Sequence, residues 1–168
     1  MAREMHLPYF SVNQFARAQG LYKTYDRQFQ SFILDISKLK TQLSRLLSSQ
    51  KKIVVDTTYN TGVVPKNSSI IVLRLDPVLL NRRLIHRKWS KKKRWENVEA
   101  ELIDSVYIDA VNCVGQRRVF QIDTTHKSKQ QVEKMAMKVV NGKVKHREEI
   151  DWLNKYDPID LQRRLRLN

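Results

Sequence analysis

SIIVLRLDPVLLNRRLIHRKWSKKKRWENVEAE, residues 69–101, is the run whose reading decides the fold. Ile70, Ile71, Val72 and Leu73 are apolar and mostly β-branched, as a strand covered on both faces of a parallel sheet requires. Asp76-Pro77 predicts a helix start, with the carboxylate as N-cap and the proline at the first helical position, where no backbone N–H is needed. Leu79, Leu80 and Leu84 mark one apolar helical stripe, with Arg82, Arg83 and Arg87 largely off it. A basic, glycine-free segment runs from Arg87 to Arg94, and a second helix is expected to open at Glu96. A buried strand that delivers cationic side chains beside a mobile basic segment suits the handling of phosphate.

Working outward, 168 residues fit one α/β domain with a sizeable core. The chain carries 32 Lys and Arg against 17 Asp and Glu, a formal net charge of +15. That excess favours a polyanionic partner, RNA, a ribosomal particle or nucleotides, over a membrane surface. No apolar run approaches a spanning helix, and the start shows no signal peptide. A single cysteine, Cys113, excludes an internal disulfide and suits a cytoplasmic, reducing setting. With four histidines scattered singly, no zinc-type ligand spacing is present.

Met1 to His6 reads as the last turns of a helix. Tyr9 to Val12 is a short strand, after which Ser11 can cap a helix carrying Phe15, Ala16 and Ala18 that Gly20 closes. Residues 21–35, LYKTYDRQFQSFILD, lack a clean period and are expected to form short helical turns at a cleft rim. Ser37 to Ser48 is amphipathic through Leu39, Leu43, Leu46 and Leu47. Ile53-Val54-Val55 is a second buried strand stopping at Asp56, and residues 62–67 form a loop. Glu96 to Val111 reads as one long helix. Arg118 to Ile122 is a third strand, and Ser128 caps a helix that closes at Asn141-Gly142. Ile150, Trp152, Leu153 and Tyr156 form a docking segment, and residues 157–168 are expected to fray. Strands alternating with helices point to a doubly wound parallel sheet.

LYKTYDRQFQSFILD at 21–35, IVVD at 53–56, VLRLDP at 72–77, HRKWSKKKRWENVEAE at 86–101 and IDTT at 122–125 carry a resemblance in their order and spacing. Over roughly residues 2–153 the chain resembles the archaeal and eukaryotic family of adenylate kinase-like proteins that take part in small ribosomal subunit assembly. The resemblance implies a single P-loop nucleoside monophosphate kinase domain over residues 1–168. It places a monophosphate-binding region at 11–34, with Asp26 and Asp35 at its acidic positions, and a lid at 86–96. Arg87 falls where the lid arginine contacts ATP, and Asp56 at the strand-end aspartate that helps hold magnesium. Asn97 and Glu101 match the family's Asn and Glu in the helix after the lid. Lys93, Asp123 and Thr124 are implied as further nucleotide positions. Where the family commonly has histidine two residues after Asp56, this chain has Thr58, which removes a base at that place.

The chain contains no GxxxxGK[ST], the loop whose N–H groups and lysine neutralise the β- and γ-phosphates. By the resemblance, about 20 family residues are missing before Met1, including a central first strand between the strands at Ile53 and Ile70. Two buried edges would then face a lane about 4.8 Å wide, and a truncated reading frame is expected.

Each position has a plainer explanation too. Asp56, Asp26 and Asp35 can be helix caps or turn residues, and Asp123-Thr124-Thr125 a simple turn. Residues 87–94 can be a solvated charged face, although Trp89 and Trp95 beside Lys91, Lys92, Lys93 and Arg94 also suit RNA or nucleotide. Tyr22, Tyr25 and Phe29 read as rim packing rather than base stacking. The resemblance implies transfer from ATP to AMP giving two ADP with magnesium, together with ATP hydrolysis and a role in small ribosomal subunit maturation. Its expected partners beyond the nucleotides are a small-subunit platform protein and rRNA. Alternatives are a non-catalytic RNA- or ribosome-binding assembly factor and an inactive remnant.

Overall fold

The computed structural model describes residues 1–27, 31–48, 52–58, 64–144 and 148–167. The fold is mixed α/β, with parallel strand pairs flanked by helices, and it divides into two compact units, Met1–Ser68 and Ser69–Asn168.

In the first unit, strand β1 (Tyr9–Ser11) leads directly into helix α1 (Val12–Ala18). The Ser11 hydroxyl accepts the Gln14 N–H at 3.5 Å, and Gly20, at φ +59°, takes the left-handed turn that ends the segment. The described residues of 21–35 do not form the expected helical turns. They contain an antiparallel hairpin of β2 (Tyr22–Asp26) and β3 (Ser31–Leu34), in which Tyr25 faces Phe32. Tyr, Thr, Phe and Ile prefer the pleated conformation, and their cross-strand pairing overrides the missing periodicity. Phe29 lies outside the described residues. Helix α2 (Ile36–Ser48) follows, and β4 (Val54–Asp56) pairs in parallel with β1, Ser11 level with Asp56. The core of this unit comprises Val12, Ala16, Leu21, Leu34, Leu39 and Leu43. Leu46, one of the four leucines expected on the apolar stripe, is instead 43 % exposed.

The second unit is built on β5 (Ile70–Arg74) and β6 (Val119–Asp123), which run parallel with Arg74 opposite Asp123. Three helices connect them: α3 (Pro77–His86), α4 (Lys91–Leu102) and α5 (Ser105–Val114). Val72 packs with Ala110 and Val119, but Leu73, on the opposite face, is 57 % exposed. The strand is therefore not covered on both faces as its composition suggested.

The expected long helix from Glu96 is two helices. Helix α4 begins five residues earlier, because the Ser90 hydroxyl accepts the Lys93 N–H at 3.3 Å and caps it. The chain breaks at Asp104, which adopts φ +58°, a conformation aspartate tolerates better than most residues. Much of the basic run is thus helical rather than a loose segment. Helix α6 (Lys129–Val140) carries a full capping box between Ser128 and Gln131. Residues 157–167 are not frayed. Helix α7 (Pro158–Arg164) is capped by Asp157, and Leu161 is buried against Val98, Leu102 and Trp152. Among the described residues, no helix is long and apolar enough to cross a membrane.

Candidate functional site

In the second unit the basic arm sits on two anchored helices. Arg74 at the end of β5 is almost fully buried, an expensive place for a charge unless it is paired. Its Nε donates to Glu101 Oε1 at 2.7 Å and its Nη2 to the Glu101 carbonyl at 2.9 Å. The same guanidinium bonds Gln121 and Asp104. Glu101 Oε1 also accepts the Leu75 N–H at 3.2 Å and the Trp152 indole N–H at 2.8 Å. The C-terminal end of α4 is therefore fixed to the sheet.

The start of α3 is fixed through Asp76. Its Oδ1 accepts the Val78 and Leu79 N–H groups at 3.0 and 3.2 Å. Its Oδ2 accepts Lys155 Nζ at 2.7 Å and the Tyr156 hydroxyl at 2.6 Å. Burial pushes the Asp76 carboxyl up, but these hydrogen bonds outweigh it and hold the group below the ordinary carboxylate range. The bond to Asp76 raises Lys155, while desolvation and then Asp76 raise Tyr156.

Between these anchors lies the arm. Arg87, exposed at the end of α3, places its guanidinium 5.7 Å from the Trp89 ring centre, and Lys93 Nζ lies 4.3 Å from it. Both cations thus gather on one indole. Lys91 and Lys92 are exposed in the first turn of α4, where the helix dipole disfavours cations. Arg94 is turned inward, donating to Asn81 Oδ1 at 3.1 Å and to the Trp89 carbonyl at 3.0 Å. Asn97 donates to the Lys93 carbonyl at 2.7 Å.

Asp123 and Thr124 occupy the turn after β6. Asp123 Oδ1 accepts the Thr125 N–H at 2.8 Å, and both Thr124 donors reach the Arg74 carbonyl, at 2.8 and 2.7 Å. The turn stitches β6 to the end of β5.

In the first unit, Asp56 is exposed at the C-terminal end of β4, its Oδ2 accepting the Tyr9 hydroxyl at 3.0 Å. Partial desolvation and then this carboxylate raise the Tyr9 phenol. Asp35 caps α2, accepting the Lys38 N–H at 3.1 Å. Asp26 ends β2, opposite Ser31.

A family model described as an AAA domain matches residues 1–104. A protein of Saccharolobus islandicus described as "Putative adenylate kinase" is 32% identical over 154 residues, covering 91% of this chain and 78% of the relative. The chain belongs to the adenylate kinase-like family. A Thermococcus onnurineus protein of the same description is 31% identical over 160 residues, covering 95% of this chain and 84% of its own length. One from Methanocaldococcus jannaschii is 26% identical over 145 residues, covering 86% and 78%.

Two hubs of this adenylate kinase-like chain escape a reading of the sequence. Arg74 interrupts an apolar strand, which is a visible signal, but its partners lie 27 to 47 residues away. Asp76 is legible as a cap, whereas its bonds to Lys155 and Tyr156 span 79 and 80 residues.

Proposed function

We propose that the protein transfers a phosphoryl group from ATP to AMP, giving two ADP, with ATP hydrolysis as a side activity. An AMP phosphate oxygen forms the new bond to the γ-phosphorus, and the bond to the β–γ bridging oxygen breaks to release ADP. The observation that carries this is Arg87 and Lys93 gathered on Trp89, between an α3 anchored at its start and an α4 anchored at its end, in a member of the adenylate kinase-like family. These cations would neutralise charge on the transferring phosphoryl group, and the buried anchors would spare reorganisation during transfer. Asp26 and Asp35, of the first unit, are the proposed contacts to AMP.

Among the described residues no group of three or more His, Cys, Asp or Glu could hold a metal ion. Magnesium commonly takes only one or two carboxylates and completes its shell with phosphate oxygens and water, so the exposed Asp56 fits it. When bound with ATP, the ion neutralises phosphate charge. Within these 168 residues no glycine-rich loop provides a cradle for the β- and γ-phosphates.

The test is ADP formation from ATP and AMP by the protein expressed from its own gene. Asp56→Ala and Arg87→Ala are each expected to lower kcat/KM by about 100-fold or more. Unchanged rates in both variants would overturn the proposal.

A second function is favoured by the +15 charge, which AMP turnover does not need. We propose that the protein also acts in maturation of the small ribosomal subunit, meeting rRNA and a platform protein, with Lys91, Lys92 and Lys93 as the RNA candidates. Arg94, expected to join them, is turned inward onto Asn81 and the Trp89 carbonyl. RNA affinity should fall steeply with salt, and neutralising Lys91 and Lys92 should reduce the salt slope by about one each. An affinity indifferent to salt would refute the role of these cations.

A further inference from the structure

The β2–β3 hairpin carries Asp26, assigned above to AMP, but also a cluster of aromatic rings to which neither the proposed phosphoryl transfer nor the basic arm gives a role. Leu21 and Leu34, buried in the core, root it. From that base outward, Tyr22, Phe32 and Tyr25 form one connected ring cluster. The Tyr22 and Phe32 centres are 4.8 Å apart, and those of Tyr25 and Phe32 4.9 Å. Rings so placed would ordinarily be covered, yet Phe32 is 55 % exposed and Tyr25 46 %. Contiguous exposed apolar surface of this kind marks an interaction site.

Charge selects the occupant. Residues 1–68 hold ten Lys and Arg against four Asp and Glu. Lys23, between the two tyrosines, and Arg27, just past the end of β2, are both exposed. Aromatic faces beside cations match a ligand that alternates flat bases with phosphates.

We propose that this hairpin binds single-stranded nucleic acid, with Phe32 and Tyr25 stacking on bases and Lys23 and Arg27 contacting the backbone phosphates. Stacking of this type tolerates sequence, because every base has a π-face.

A labelled oligouridylate of about 12 nucleotides, titrated into the full chain without ATP, AMP or magnesium and followed by anisotropy, tests the proposal. Phe32→Ala should weaken binding about 5- to 150-fold, the equivalent of roughly 1–3 kcal/mol for one stacked base. Phe32→Tyr should restore the affinity. Replacing Lys23 and Arg27 by Ala should lower the salt slope by about 0.7 each, whereas Phe32→Ala should leave it unchanged. Should Phe32→Ala unfold by circular dichroism, Tyr25→Ala, farther from the core, gives the same decision.

Wild-type affinity in the ring-deleted variants would overturn the proposal, as would equal binding of an abasic strand. Full displacement of the strand by AMP would reassign the surface to a mononucleotide. Loss of self-association in Phe32→Ala with oligonucleotide affinity intact would reassign it to a protein partner. No titration involves turnover, so failure of ADP formation leaves the proposal standing, and its own failure leaves phosphoryl transfer untouched.

Discussion

Glu101→Ala is expected to destabilise the second unit by about 3–5 kcal/mol, the usual consequence of removing one partner of a buried ion pair. The side chain of Arg74 is 1% exposed and that of Glu101 13%, so water can do little to replace the lost carboxylate. The effect extends beyond the pair. Glu101 Oε1 also serves the Leu75 N–H and the Trp152 indole, which lose their acceptor together. Urea denaturation should show a lower midpoint at unchanged slope. The double replacement of Arg74 by Met and Glu101 by Leu should recover only part of the loss. It removes the unpaired buried charge but does not restore an acceptor to the Leu75 N–H and the Trp152 indole or a partner to Asp104. A loss below about 1 kcal/mol in Glu101→Ala would show that the pair is solvated like a surface salt bridge.

That network shows where a sequence stops being legible. The starts of α3 and α6 follow from Asp76-Pro77 and from Ser128 with Gln131, because capping acts over three or four residues. Strands β4, β5 and β6 follow from their apolar runs. The β2–β3 hairpin does not, since its stability comes from pairs such as Tyr25 with Phe32 across a turn rather than from any period along the chain. Helix α7 looks like a polar, basic tail until Trp152, Val98 and Leu102 supply the surface that buries Leu161. The site divides in the same way. Arg87 and Lys93 belong to one visible basic run, but their convergence on Trp89 depends on where Ser90 starts α4. Asp35 and Asp123 have local work as a cap and a turn acceptor, visible from their neighbours. Arg94 counts as a cation in sequence, while its bonds to Asn81 and Trp89 make it a brace for the arm.

Asp76→Ala is the second substitution expected to have a large effect, about 2–5 kcal/mol. Loss of a helix cap costs roughly 0.5–2 kcal/mol, and a hydrogen bond to a charged group about 1.5–3 kcal/mol. Lys155 adds little to that total because its side chain is 54% exposed. Asp76→Asn keeps an oxygen for the cap and should fall between the wild type and Ala. The same cluster sets a pH dependence. Asp76 is lowered in the folded state, so its contribution is present above the unfolded carboxylate value of about 3.9 and is lost as pH falls through the lower folded one. Lys155 and Tyr156 are raised. Their contributions are present below their unfolded values of about 10 and disappear as pH rises through the folded ones. The stability difference between wild type and Asp76→Asn should therefore be flat from about pH 5 to 9 and shrink toward both extremes. Urea midpoints of the two proteins across that range measure it. A difference that keeps growing as pH falls below about 4 would show that the Asp76 carboxylate does not hold Lys155 and Tyr156 to the start of α3.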